Sequence, residues 1–326
     1  MSLQLIDPFN RQINYLRISV TDRCNFRCIY CMNKKTTFLP QTQILTLEEL
    51  AWIGRAFVEL GVKKIRLTGG EPLLRKNVLQ LFEYFGQFEE LKELTMTTNG
   101  FRLAEFAQAL KQAGVKRINI SLDSLQPKRF QSITKKGQLH TVLQGIEAAI
   151  QAGFAQIKLN TVVLKNYNHD EIIDLVTFAV ERGLDISFIE TMPFGQDNNI
   201  RYYSSQQVYH DLSQKFTLIP SSKKTGGPAQ YYRVATTNSN VGFIAPHRDN
   251  FCKTCNRVRL TTDGYLLLCL GQKETIDLRQ IVRTYPNDMA LLKQTIIKAL
   301  SIKPSRHHFY DEKHLPTLHA MNRIGG

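Results

Sequence analysis

The sequence predicts an α/β fold, an incomplete (β/α)6 TIM-type barrel whose open side is closed by a smaller C-terminal α+β region. Two observations carry this expectation. Short apolar or β-branched runs alternate with amphipathic helical patterns at roughly thirty-residue spacing, the pattern of βαβ units. Polar, chemically able residues also fall where those runs end. In a parallel barrel that is the face on which βα loops gather the chemistry, whereas an open doubly wound sheet concentrates it at one switch point.

The runs are YLRISV (15–20), KKIRLT (63–68), ELTMTT (93–98), RINISL (117–122), QIKLNTVVL (156–164) and DISFIE (185–190). Between them lie helical patterns over 46–61, 77–88, 102–114, 141–153 and 170–183, several of which stop at a glycine, the expected C-terminal signal. Parallel strands joined this way require right-handed crossovers. The polar strand ends are a cysteine loop at 21–32, TGGEP (68–72), TTNG (97–100), SLDS (121–124), Lys158 and ETMP (190–193).

The alternation stops near residue 195. Loop-rich sequence follows, including PSSKKTGGPAQ, and then short strand-like pieces. The division expected is 1–225 for the partial barrel and 226–326 for the C-terminal region. RVRLTTDGYLLLCL reads as a hairpin with a two-residue turn at Asp263-Gly264, which would bring Cys269 level with residue 258 and close to Cys252 and Cys255.

All six cysteines fall into two groups, Cys24, Cys28 and Cys31 (C-x3-C-x2-C) and Cys252, Cys255 and Cys269 (C-x2-C-x13-C). Core cysteines do not repeat C-x2-C spacing, so both triads read as metal ligands. Each is one ligand short of the usual four. His247 could complete a Cys3His zinc site at the second; alternatively each triad holds a cluster with one iron open to a small molecule. No apolar leader or membrane-length run is present, and a cytoplasmic protein with reduced thiols is expected. The net charge of +14 suits polyanionic partners, or is simply a solvated surface. Arg257 and Arg259 stand apart, since alternation puts both on one strand face, where two guanidiniums suit an anion.

CNFRCIYC resembles the signature of radical S-adenosylmethionine enzymes, and TGGEP their methionine-binding motif. With IRLTGGEPLLR, TTNG, SLDS, IKLN, FIETMP, FCKTCNRVRLTTDG and the terminal IGG in order, the whole chain resembles the GTP 3′,8-cyclase family of molybdenum cofactor biosynthesis. The resemblance implies two [4Fe–4S] clusters, one on Cys24, Cys28 and Cys31 and one on Cys252, Cys255 and Cys269. It implies S-adenosylmethionine on Tyr30, Gly70, Ser121 and Met192, and GTP on Arg17, Arg66, Thr97, Lys158, Arg257, Val258 and Arg259. The activity implied is a lyase: a 5′-deoxyadenosyl radical takes the ribose C3′ hydrogen, and C3′ attacks guanine C8. The implied partners are an electron donor such as flavodoxin or ferredoxin and a downstream cyclic pyranopterin monophosphate synthase, with no nucleic acid, no membrane and a possible homodimer. Gly325-Gly326 would thread into the active site, where a residue without Cβ can pass.

Taken alone, several of these features are ordinary. TGGEP is a strand-to-helix turn, Met192 a gap-filling core residue, Ser121 a strand-end hydroxyl and IGG a frayed tail. Asn33 stands where many members of the family have proline, which alters loop stiffness rather than the ligand set. KPSRHHF (303–309) resembles a family segment but suggests no chemistry by itself. Two rivals remain: a peptide-modifying radical enzyme with an auxiliary cluster, and a nucleic-acid-binding protein with zinc or Fe–S knuckles. The latter lacks a basic-aromatic stripe.

Overall fold

The computed structural model describes residues 4–32, 36–191, 202–246, 249–270, 274–307 and 321–325. The six expected βα units are present: β1 Tyr15–Ser19, α1 Leu47–Glu59, β2 Lys64–Thr68, α2 Val78–Gly86, β3 Glu93–Thr98, α3 Leu103–Gln112, β4 Val115–Ser121, α4 Pro127–Thr134, α5 Leu139–Gln151, β5 Gln156–Val163, α6 Ile172–Glu181 and β6 Asp185–Glu190. After these come α7 Ser205–Ser213, β7 Leu218–Pro220, β8 Gln230–Val234, β9 Asn240–Ile244, β10 Arg257–Leu260, β11 Tyr265–Leu267, β12 Thr275–Asp277, α8 Leu278–Thr284, α9 Met289–Ala299 and α10 Met321–Ile324.

The twelve strands of the described residues form one open sheet, ordered β12-β11-β10-β1-β2-β3-β4-β5-β6-β9-β8-β7. From β10 to β9 every neighbouring pair is parallel, and antiparallel strands finish both edges. The barrel is thus partial, as expected. The C-terminal residues extend it at both edges, β9 pairing with β6 and β10 with β1.

Strand alternation decides what faces where. On β1, Leu16 and Ile18 are fully buried in the core with Leu50, Ile53 and Phe57 of α1. Burying each such side chain is worth about 1.5–3 kcal/mol. The alternate residues, Tyr15 and Arg17, turn to the other face. Thr46 opens α1 with a reciprocal cap, accepting from Glu49 N–H while Glu49 accepts from Thr46 N–H. Helix α4 was not anticipated. Its Pro127 start lies in a stretch with little apolar periodicity, yet it buries Phe130 and Ile133 beneath the first cysteine loop.

One expectation needs correcting. The hairpin closes through Thr261 N–H to Tyr265 C=O, so Thr262, Asp263 and Gly264 form a three-residue turn, with Gly264 at φ 86°. Thr261 Oγ1 donates to Asp263 and accepts from Tyr265 N–H, which favours the longer turn. The register therefore pairs Arg259 with Leu267. Cys269, two residues further on, comes level with Arg257 rather than 258.

Candidate functional site

Inward-facing side chains of consecutive strands stand side by side because the strands pair in register. Arg17 lies opposite Arg66 on one side and Arg259 on the other. Thr97 pairs with Asn119, and Asn119 with Lys158. These residues border one cavity of ≈ 350 Å³, as do Arg257, Val258, Tyr30 and Ser121. The sequence-derived substrate set is thus brought together completely.

At the centre is Tyr15, which composition and spacing did not single out. Its hydroxyl accepts from Arg66 Nε at 2.7 Å, and the cations of Lys64 and Arg257 lie over its ring at 4.9 and 6.0 Å. Arg66 Nη1 also donates to Thr97 Oγ1 at 3.0 Å. Burial pushes the Tyr15 phenol up, but Arg66, Arg17, Lys64 and Arg257 outweigh it and draw it down to about 6. Burial lowers Arg17 to about 10, with the Tyr15 phenol opposing. Arg259 is held well below its ordinary value by burial and by Arg17 and Arg257, and Lys158 is lowered by burial. So many cations around one cavity repel one another, and a polyanion relieves the repulsion.

The first cysteine loop leaves β1 and is pinned by its neighbours. Gly70 N–H donates to Thr21 C=O at 2.7 Å, and Glu71 N–H to Arg23 C=O at 2.8 Å. A Cβ on Gly70 would lie 2.3 Å from Arg23 O, so only glycine lets the two loops press together. Gly70 thus packs against the ligand loop rather than bordering the cavity. Arg27 and Ile29 N–H groups donate to Thr134 and Ile133 C=O at the end of α4. Tyr30 donates to Asp123 Oδ2 at 2.7 Å, which turns its ring toward the cavity. Glu71 accepts from Leu73 N–H, Thr98 Oγ1 and Asn99 N–H, fixing the ends of β2 and β3. Burial raises Glu71 to about 7 and Asp123 to about 6. Burial likewise pushes the Cys24 thiol up to about 11 and Cys31 to about 12. Cys28 rises well above its usual value through burial and Asp123.

The second triad borders the same cavity. Burial alone would raise Cys255, but Lys303, Arg257 and Arg11 lower it. All six thiols are free of disulfides. Among the described residues no group of three or more His, Cys, Asp or Glu is gathered around a single metal ion; a four-iron cluster asks something else, one thiolate for each of several irons.

The C-terminal tail also enters. Asn322 donates to Asp22 C=O, and Arg17 Nη2 donates to Gly325 C=O at 2.5 Å, with Arg259 Nη1 at 3.4 Å from the same oxygen. Gly325 has φ 77°, and a Cβ there would lie 1.7 Å from Thr68 Oγ1. Met192, His247 and Gly326 lie outside the described residues.

A Radical SAM superfamily model matches residues 18–179, and a Molybdenum Cofactor Synthesis C model matches 184–309. Proteins named GTP 3′,8-cyclase from Saccharophagus degradans and Ectopseudomonas mendocina are each 52% identical over 99% of this chain, covering 98% and 99% of their own lengths. The chain belongs to the GTP 3′,8-cyclase family. A member of this family with this fold is an enzyme of the radical S-adenosylmethionine superfamily. Among solved structures, Streptococcus suis SuiB bound to S-adenosylmethionine superposes with a TM-score of 0.61 over 87% of this chain and 69% of its own, at 16% identity, a likeness of fold.

The family implies a [4Fe–4S] cluster with S-adenosylmethionine, and the residues present fit them. Cys24, Cys28 and Cys31 supply three sulfur donors and no fourth. Asn119 and Asn160 border the cavity with buried Oδ1 atoms that have no partner, acceptors available to a ligand. Asn119, Asn160 and Tyr15 were legible in principle, each two residues along a strand from a residue already assigned inward: Ser121, Lys158 and Arg17.

Proposed function

We propose that the protein converts GTP to 3′,8-cyclo-7,8-dihydro-GTP, the first step of molybdenum cofactor biosynthesis. The observation that carries this reading is the row Arg17, Arg66, Lys158, Arg257 and Arg259 in one cavity that is bordered by Cys31 of the first triad and by all three cysteines of the second. In the proposed arrangement Cys24, Cys28 and Cys31 hold a [4Fe–4S] cluster with S-adenosylmethionine beside Tyr30, Ser121 and Met192, while Gly70 acts from behind by seating the cysteine loop. Cys252, Cys255 and Cys269 hold a second cluster beside the guanine. When bound, the first cluster and S-adenosylmethionine would supply the 5′-deoxyadenosyl radical that takes the ribose C3′ hydrogen; bonding of C3′ to C8 would leave a radical on the base, which one electron from the external donor and one proton would convert to the 7,8-dihydro product.

The chain's own residues orient and exclude. The guanidiniums of Arg17, Arg257 and Arg259 and the ammonium of Lys158 neutralise the triphosphate, which fixes the ribose by its far end. Thr97 takes part through the hydrogen bond that steers Arg66. The tail at Gly325 helps keep water from the reacting atoms. The reading further includes a cytoplasmic location, an electron donor such as flavodoxin or ferredoxin and a downstream cyclic pyranopterin monophosphate synthase. Titrating the anaerobic holoenzyme with GTP and with a peptide panel tests it. Saturable GTP binding with consumption of GTP is expected, and peptide modification without GTP consumption would overturn it.

A further inference from the structure

The segment KPSRHHF has no role in the chemistry above, yet its first residue is the most enclosed lysine of the second triad's surroundings. Lys303 is 3% exposed. It follows α9 and reaches the two stretches that carry the cysteines. Its Nζ donates to Arg257 C=O at 3.1 Å, two residues after Cys255, and to Leu268 C=O, immediately before Cys269. The same Nζ lies 4.0 Å from Cys255 Sγ. One ammonium therefore ties the Cys252–Cys255 turn to the hairpin that returns Cys269.

A second cation sits on the other side of the triad. Arg11 donates to Cys252 C=O at 2.8 Å and to Ser305 and Pro304 C=O at 2.9 and 2.6 Å. Arg11 is neutralised, because Asp7 pairs with its Nε at 2.6 Å with both side chains buried. Lys303 forms no ion pair with a carboxylate of any described residue; its partners are two carbonyls and a thiol. The two cations thus share the mechanical work of holding the loop, but of these two only Lys303 has no carboxylate partner among the described residues, and its charge is the largest cationic influence on Cys255, ahead of Arg257.

We propose that Lys303 is the charge-compensating and positioning residue of the second cluster, holding its ligand loop and favouring its reduced form. The inference rests on the reading that Cys252, Cys255 and Cys269 carry a cluster. Each thiolate adds negative charge to a buried site, and reduction adds one electron more. A fixed cation in contact with a ligand sulfur stabilises the more negative state, one of the protein's levers on cluster potential. Burial strengthens the effect, since little water screens it.

The test is an anaerobic potentiometric titration of the reconstituted holoenzyme, followed by electron paramagnetic resonance, with iron and sulfide analysis of each sample. Wild type is compared with Lys303→Gln, which keeps a donor and loses the charge, and with Lys303→Arg, which keeps the charge. The expected result is about eight irons in all three, a second-cluster potential moved to more negative values in Lys303→Gln, and one near wild type in Lys303→Arg. Loss of about four irons from Lys303→Gln alone also supports the proposal, since Lys303→Arg then rescues by charge. An unchanged potential in Lys303→Gln with full iron overturns it, as does equal iron loss in both variants, which would make the lysine a packing element. Wild type with only about four irons would instead sink the reading of the second triad as a cluster site.

Discussion

Cys31 of the first triad and all three cysteines of the second border one cavity, and the two triads are built with different electrostatics. At the first, burial lifts every thiol, helped by the carboxylates of Glu71 and Asp123, and the one opposing cation, Arg27 at Cys24, does not outweigh them. At the second, Lys303, Arg257 and Arg11 outweigh burial and bring Cys255 down. The difference matches the visitors of the proposed reaction. S-adenosylmethionine brings a sulfonium and an ammonium to the side with carboxylates. GTP brings a polyanion to the side with arginines. A single fold separates the two by chain order: the first triad follows β1, and the second precedes and follows β10, the next strand along.

The largest test of that division removes one side. Cys252→Ala should abolish cyclisation and lower iron from about eight to about four per chain, while cleavage of S-adenosylmethionine at the first cluster persists. Anaerobic iron analysis with an assay for 5′-deoxyadenosine measures both. One zinc at the second triad in the wild type, dependent on His247, would break the comparison.

Next in size is the tail that touches both Arg17 and Arg259. Gly325→Ala puts a methyl 1.7 Å from Thr68 Oγ1 and strains a positive φ. Relieving that overlap shifts the tail, and a misplacement of about 1 Å near a reacting centre costs about 100-fold in turnover. Cyclisation should fall by that factor with iron content unchanged. Full turnover would return the segment to an ordinary chain end.

Arg257→Ala should weaken GTP binding by about 1.5–3 kcal/mol, the cost of one charge-assisted contact, as read by anaerobic calorimetry. Cleavage of S-adenosylmethionine without GTP should hold. If it falls as steeply, the arginine serves both sides and the separation fails.

The smallest effect concerns the acidic side. Burial raises Asp123 to about 6 from an ordinary value of 3.8, so the folded protein holds a proton that the unfolded chain has released. Its contribution to stability is complete below the unfolded value and is lost as pH rises through about 6. Asp123→Asn keeps partners for Tyr30 and Val162 N–H, since its amide can donate to the phenol and its carbonyl can accept. In the cluster-free protein this variant should flatten the fall in stability between about pH 4 and 6, a change of about 1–3 kcal/mol followed by thermal unfolding across pH.

Much of the fold was legible because period-2 and period-3.6 patterns alternate cleanly in the first 190 residues. The strands fall within two residues of their expected ends, from β1 at Tyr15–Ser19 to β6 at Asp185–Glu190. The joining of β9 to β6 and β10 to β1 was not legible, because edge pairing of short strands depends on tertiary contact rather than local pattern. The hairpin register slipped by one residue because Thr261 caps the turn with its side chain. Both cysteine triads stood out by spacing. Lys303 did not, since a lysine looks alike in sequence whether solvated or buried, and only the fold brings it across to Cys255.

The most direct test of the central claim uses GTP carrying deuterium at C3′, with S-adenosylmethionine and anaerobic wild-type enzyme. The mass of the 5′-deoxyadenosine formed is then measured. If the first triad generates the radical and the arginine side presents the ribose to it, the nucleoside gains deuterium as GTP is consumed. Deuterium-free 5′-deoxyadenosine accompanying GTP consumption would contradict the account.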